Sequence, residues 1–268
     1  MNDTSEGANR RDFLQAAIGA AGIAAAPSTA FAREHPTYPP DVGSKFYADG
    51  RVHPFAGNTI ICHLPQQGDH AAAFDAMLDI YREAPLQEFM RKVALLPPSS
   101  YHMTIFGGAN DQPRNIANWP SDLPLSLSID ACNRALAERL RDFDPGISLP
   151  IRMRIDPVQK PLEGGALIFR LQPFDQFEDI KLRRLRDRLA EVLKIRVAGH
   201  ETYQFHTSFG YKIAWLSQAE KRQLQAAWQR WAAHIARKSP QIVLGAPEFC
   251  TFEDMFAFHR QFFLGGNA

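Results

Sequence analysis

The sequence predicts an α+β fold built as two similar lobes, with mostly antiparallel sheets lining a central cleft and helices outside. Three observations lead there. Short β-branched and aromatic runs alternate with stretches of helical period. Several of those runs are adjacent and half polar, which suits antiparallel sheet better than a fully buried parallel one. The order strand, helix, His-bearing strand occurs at residues 58–106 and again, loosely, at 166–213. A chain of 268 residues, 45% hydrophobic and 22% charged, can bury a core without disulfide or metal staples.

The elements follow in order. Residues 33–54 are rich in Pro, Gly, Tyr and charge without sustained period, and are expected to form an irregular arm wrapping the domain surface. Asn58-Thr59-Ile60-Ile61-Cys62-His63-Leu64 is a β-branched run closed by Pro65, hence a strand. Ala73, Met77, Ile80 and Tyr81 fall at helical spacing, which predicts a helix over 69–82. Pro97-Pro98 stops the next segment, and residues 101–106 follow as a strand that Gly107-Gly108 closes. A loop holding Trp119-Pro120 leads to a helix near 129–143, and residues 151–155 alternate as a half-exposed strand does. A strand over 166–171 precedes an amphipathic helix over 175–196, whose stripe is Ile180, Leu182, Leu185, Leu189, Val192 and Leu193. Then come a strand over 203–213, a helix over about 217–238, and Phe-rich strands within 241–264.

Charge and cysteines exclude several classes. With 30 Lys+Arg against 29 Asp+Glu the net charge is +1, too little to coat duplex nucleic acid or an acidic membrane. Any anion site must be local. Cys62, Cys132 and Cys250 are too far apart for a CxxC metal or redox motif and are expected as small core residues. A GxSxG elbow, HExxH, a Walker loop and a GxGxxG after a strand are all missing from the sequence, so serine hydrolase, zinc protease and nucleotide-cofactor chemistry lack their usual marks.

The amino terminus carries an address. Arg10-Arg11 before Phe13-Leu14, a mildly apolar run over 16–26, and Ala30-Phe31-Ala32 together resemble a twin-arginine export signal cleaved after Ala32. Residues 1–32 are then a signal peptide and 33–268 a single bilobal domain, periplasmic or secreted. The apolar run is shorter than the about 20 residues that a spanning helix needs, so stable membrane insertion is not expected.

The chemistry turns on His-x-Thr/Ser, a pattern that His35, His102, His200 and His206 all satisfy and that carries little by itself. His35 precedes Pro36 in the arm, and His200 follows Gly199 in a turn; His102 and His206 lie inside alternating, aromatic strands. Residues two apart on a strand share a face. His102, Thr104 and Phe106 therefore share one face, and His206, Ser208, Gly210 and Lys212 another, opposite mostly apolar faces that can bury against helices. Two imidazoles beside two hydroxyls suit an in-line displacement at phosphorus: one neutral ring takes a proton from the attacking oxygen, the other, protonated, gives one to the leaving oxygen. Thr104 and Ser208 can donate to nonbridging phosphoryl oxygens. No metal or cofactor is needed. Phe106 is a candidate to stack on a base and Lys212 to meet phosphate charge.

At Gly57-Asn58-Thr59, Leu96-Pro97-Pro98-Ser99-Ser100-Tyr101-His102-Met103-Thr104 and Tyr203-Gln204-Phe205-His206-Thr207-Ser208 the chain resembles a little-characterised bacterial and fungal branch of the 2H phosphoesterase superfamily. The resemblance covers most of residues 41–264. It implies a two-lobed α+β fold, His102 and His206 as the catalytic pair, Thr104 and Ser208 as phosphate ligands, and a cyclic phosphodiester or RNA end as substrate. The expected partner is thus a small phosphorylated molecule bound by a monomer. Two alternatives stay open: a nucleotide or phosphometabolite binding protein using the same cleft, and RNA-end processing or ligation. Lys181, Arg183, Arg184, Arg186, Arg188, Lys194 and Arg196 form a basic helix face, expected to be solvated rather than an RNA track. His63 and Arg170 lie on strands whose facing the sequence leaves undetermined, and His259 is expected in the core.

Overall fold

The computed structural model describes residues 36–112 and 114–266; the export signal expected over 1–32 lies outside the described residues. Strands β1 (Gly57–His63), β2 (Val93–Leu95), β3 (His102–Asn110), β4 (Ile151–Ile155), β5 (Ala166–Pro173), β6 (His206–Lys212), β7 (Ile242–Leu244), β8 (Glu248–Phe252) and β9 (His259–Phe263) join in the order β7-β4-β5-β6-β3-β1-β8-β9, with β2 added to β6. Each of these strand pairs is antiparallel. The sheet curls into a half-barrel, and helices α1 (Ala72–Glu83), α2 (Ile129–Leu140), α3 (Gln176–Leu193) and α4 (Gln218–Lys238) lie outside it, as the α+β prediction requires.

The two repeats meet inside this one sheet. β1 pairs with β3 in the first and β5 with β6 in the second. The repeats touch through one register pair, Met103 and Thr207, reinforced where the Thr207 hydroxyl donates to the His102 carbonyl at 2.8 Å. Further along, β6 pairs with β2 instead, Leu95 opposite Gly210. The two His-bearing strands therefore start together and diverge. β2 was not visible in the sequence, since three residues are too few to show a period.

The helices form where caps and apolar stripes coincide. Asp175 caps α3 by accepting the Glu178 N–H at 2.9 Å, and the helix ends at Lys194, which takes a left-handed φ of 57°. Its buried stripe is Leu182, Leu185, Leu189 and Leu193; Ile180 is 42% exposed and lies off it. A capping box of Ser217 and Glu220 starts α4. From α4, Trp228 stacks on Phe169 at 4.2 Å and Trp231 packs near Phe209 at 5.9 Å, sealing the outer face of β5 and β6. α2 stops at Leu140, short of the expected 143, and β3 runs through Gly107-Gly108 to Asn110 instead of ending there. The glycines permit this. A Cβ on Gly108 would collide with Asn58 Oδ1, which here accepts the Ala109 N–H at 3.1 Å, while Gly107 opens onto free space. No helix among the described residues is long and apolar enough to cross a membrane.

The arm does more than wrap the surface. Phe46 is fully buried against Tyr211 and Phe256, with ring centroids 5.1 and 6.0 Å away, and so anchors its neighbour Lys45.

Candidate active site

His102 and His206 open their strands, so each follows a turn whose carbonyl is free to accept. His102 Nδ1 lies 2.6 Å from the Ser100 carbonyl, and His206 Nδ1 lies 2.9 Å from the Gln204 carbonyl. A carbonyl only accepts, so in each ring Nδ1 carries the hydrogen and Nε2 is left for proton transfer. Both rings are half-buried, as are Thr104 and Ser208, and all four side chains line one cavity of about 280 Å³. The structure thus brings together the four residues that the two motifs single out. A larger cavity of about 400 Å³ beside the start of α4 holds no histidine.

Burial dominates the electrostatics. It pushes His102 down to about 4, helped by the charges of His63 and His206 and opposed by the Ser100 carbonyl and Glu248. Burial lowers His206 as well, with Lys45 adding to it. Lys45 reaches the cavity from the arm. Its ammonium sits 4.9 Å above the Tyr211 ring and 2.9 Å from Asp41. Burial works against that charge, yet Tyr211 and Asp41 outweigh it and raise its pKa. Phe252, Met255 and Phe258 supply an apolar wall, with the Phe258 ring 4.3 Å from His102.

Phe106 and Lys212 do not join the site, and one cause removes both. Ile60 pairs with Phe106 while Ile61 pairs with Thr104, so β3 carries a bulge at Ile105. Leu167 pairs with Gly210 while Ile168 pairs with Ser208, so β6 carries one at Phe209. An extra residue reverses which face the following side chains take. Phe106 is consequently 2% exposed, behind the sheet, 5.6 Å from the Arg186 guanidinium and 6.0 Å from the His200 ring. Lys212 is 4% exposed, donates to the Leu162 and Glu163 carbonyls at 2.8 and 2.9 Å, and is lowered by burial to about 8. Tyr211 takes the place in the cavity that strict alternation assigned to Lys212.

Much of the basic helix face is structural. Lys181 is buried with Glu178 and two carbonyls, Arg183 pairs with Asp179, Arg188 holds the Asp144 and Pro145 carbonyls, and Arg196 meets Asp187 and Glu201. Arg186 is 2% exposed beneath the site, 4.0 Å from the Tyr203 ring, and donates to the carbonyls of Ile105 at 2.5 Å and His200 at 3.3 Å. It thereby ties down the bulge.

The ladder settles His63 and Arg170. His63 pairs with His102 and Arg170 with His206, and directly opposed residues share a face. His63 Nδ1 lies 2.8 Å from Glu248 Oε1. His259 is exposed on β9, against the expectation of a core histidine. The three cysteines are free and buried, as expected. His63, Glu248 and Cys250 bring donor atoms within 4.8 Å of one another, but Arg260 already shares the carboxylate and burial pushes the Cys250 thiol up, which does not suit a cation.

Sequence reasoning missed Lys45 and Tyr211. Lys45 sits in an aperiodic segment, and Tyr211 faces the cavity through a bulge that no local pattern announces.

A half-barrel whose paired strands each present an imidazole and a hydroxyl to one cavity is the architecture expected of two-histidine phosphoesterases. Comparison with known proteins supports that class: residues 45–162 match the family described as 2H-phosphodiest, "Domain of unknown function (DUF1868)". That match supports the 2H phosphoesterase superfamily; it includes His102 and ends before β5, so His206 lies beyond it. Among solved structures, a conserved protein of unknown function from Agrobacterium tumefaciens strain C58 is similar over 86% of this chain and 94% of its own, with a TM-score of 0.76 and 27% identity. No curated protein matches.

Proposed function

We propose that the protein is a metal-independent phosphodiesterase that opens cyclic phosphodiesters, a 2′,3′-cyclic nucleotide or a cyclic phosphate at an RNA end being the class that fits best. The observation that carries this reading is the matched pair of rings, each with Nδ1–H given to the carbonyl two residues back and Nε2 left for transfer. Water attacks phosphorus in line with the leaving ribose oxygen. One imidazole takes the water proton, the other, as imidazolium, protonates the leaving oxygen, and the product monoester departs. Thr104 and Ser208 hold the nonbridging oxygens, and the Lys45 ammonium offsets their charge. Both proton transfers are supplied by side chains, so the chemistry calls on no metal. The export pattern of residues 1–32 supports action outside the cytoplasm.

Turnover separates this reading from a binding protein that uses the same cavity. A bell-shaped dependence of kcat/KM on pH is expected, with a loss of about 10³-fold or more in either His102→Ala or His206→Ala. Saturable binding of every cyclic substrate tried with no product after long incubation would favour the binding protein.

A further inference from the structure

The His63 imidazole stands across the ladder from His102, on the same face, with ring centroids 6.1 Å apart and edge to face. It is held there. Its Nδ1 lies 2.8 Å from Glu248 Oε1, and its backbone N–H donates to the same oxygen at 3.2 Å. Glu248 is 4% exposed. Burial works against its ionised form, but the hydrogen bonds and charge of His63, with Arg260 3.5 Å away, hold its pKa below the usual carboxylate value. A buried carboxylate therefore anchors this ring beside one member of the acid–base pair.

We propose that His63, anchored by Glu248, is a positioning residue for His102: held at the edge of that ring, it adds to burial in opposing a proton on His102 whenever it carries one itself, so that His102 serves as the base and His206 as the acid. The role assignment rests on the acid–base reading of the two histidines, whereas the coupling of His63 to His102 does not. Two unit charges about 6 Å apart repel enough to move a pKa by about half a unit in a water-like medium and by more where water is excluded.

The surroundings of the two rings differ accordingly. His102 is faced by the Ser100 carbonyl, by His63 from β1, by His206 from β6, by Glu248 from β8, and by the apolar Phe258 ring at 4.3 Å. His206 is faced by His102, by Lys45, whose charge is shared with Asp41 and Tyr211, by Arg170 across the β5 ladder, and by the Tyr203 ring at 6.1 Å. Among the described residues, only His102 has an imidazole besides its catalytic partner at its edge, one fixed by a buried carboxylate. Positive charge on His63 opposes a proton on His102, while Glu248 partly offsets that opposition.

The test follows the His102 ring signals by NMR across pH in the wild type, His63→Gln and His63→Lys, assigning them by their loss in His102→Gln. His63→Gln removes the charge and is expected to raise the His102 midpoint by about half a pH unit or more, roughly a three-fold gain in protonated fraction, moving the low-pH limb of kcat/KM with it. His63→Lys keeps a charge and is expected to leave the midpoint near the wild-type value. A second uncharged variant, His63→Asn, carries the same expectation should the glutamine fail to fold. An unmoved midpoint in the uncharged variants, or equal displacement in uncharged and lysine variants, would overturn the proposal. The midpoint is read without turnover. A protein that hydrolyses nothing yet shows the expected midpoints keeps the coupling and loses only the proposed activity.

Discussion

Lys45 is a cation that the arm brings to the cavity of the two histidines, and its energetics set what it can do. Its ammonium is shared between Asp41 at 2.9 Å and the Tyr211 ring at 4.9 Å, so it stays charged despite burial. A bound phosphodiester would add an anion to a cavity whose other polar residues among those described, Asn58, Thr59, Thr104, Asn110, Ser208, Tyr211 and the two histidines of lowered pKa, include no second lysine or arginine. Lys45→Met is therefore expected to raise KM for a cyclic nucleotide by about ten-fold with a smaller change in kcat, the pattern of a charge-assisted contact made in ground state and transition state alike. Steady-state kinetics over a range of ionic strength checks it. A kcat effect as large as that of the histidines would instead give Lys45 a part in the chemistry.

The strands that carry the histidines are regular only as far as the motif. Each bulges at once afterwards, at Ile105 in β3 and Phe209 in β6, and the Arg186 guanidinium secures the first by donating to the Ile105 carbonyl. Arg186→Met keeps the bulk but removes the guanidinium donor from that buried carbonyl and from the His200 carbonyl. A loss of about 2–4 kcal/mol is expected, read from urea unfolding, although no atom of Arg186 is required in the reaction. A change within 0.5 kcal/mol would mean that the bulge holds itself. The same two bulges mark how far the sequence could be read. Strict alternation put His102 with Thr104 and His206 with Ser208, and those four side chains do share the cavity. It also put Phe106 and Lys212 there, where the pairing register, a property of two strands and not of one, turns them away. The long helices and strands were legible because their apolar stripes repeat. β2, the extension of β3 past two glycines, and the seating of Phe46 and Lys45 depend on contacts distant in sequence, which no local pattern encodes.

One continuous sheet joins the repeats, so the protonation of a group at the junction bears on the stability of the fold. His102 falls from the usual histidine value to about 4 on folding. Its depressed folded pKa means that the unfolded chain binds the extra proton first. The group costs nothing above about pH 6.5, and stability falls by up to about 1.4 kcal/mol per pH unit between there and about pH 4. Urea midpoints across that window are expected to decline in the wild type and to flatten in His102→Gln, whereas parallel declines would place the acid sensitivity elsewhere. The junction also gives the central claim its sharpest form, because the two rings come from different repeats and neither alone completes the pair. The most direct measurement is product formation from 2′,3′-cyclic nucleotides and other small cyclic phosphodiesters in excess EDTA, by the protein lacking residues 1–32 and by its His102→Ala/His206→Ala double variant. Ring opening that survives chelation and vanishes in the double variant is the predicted result. Hydrolysis that EDTA abolishes, or that the double variant retains, would contradict a two-histidine phosphodiesterase.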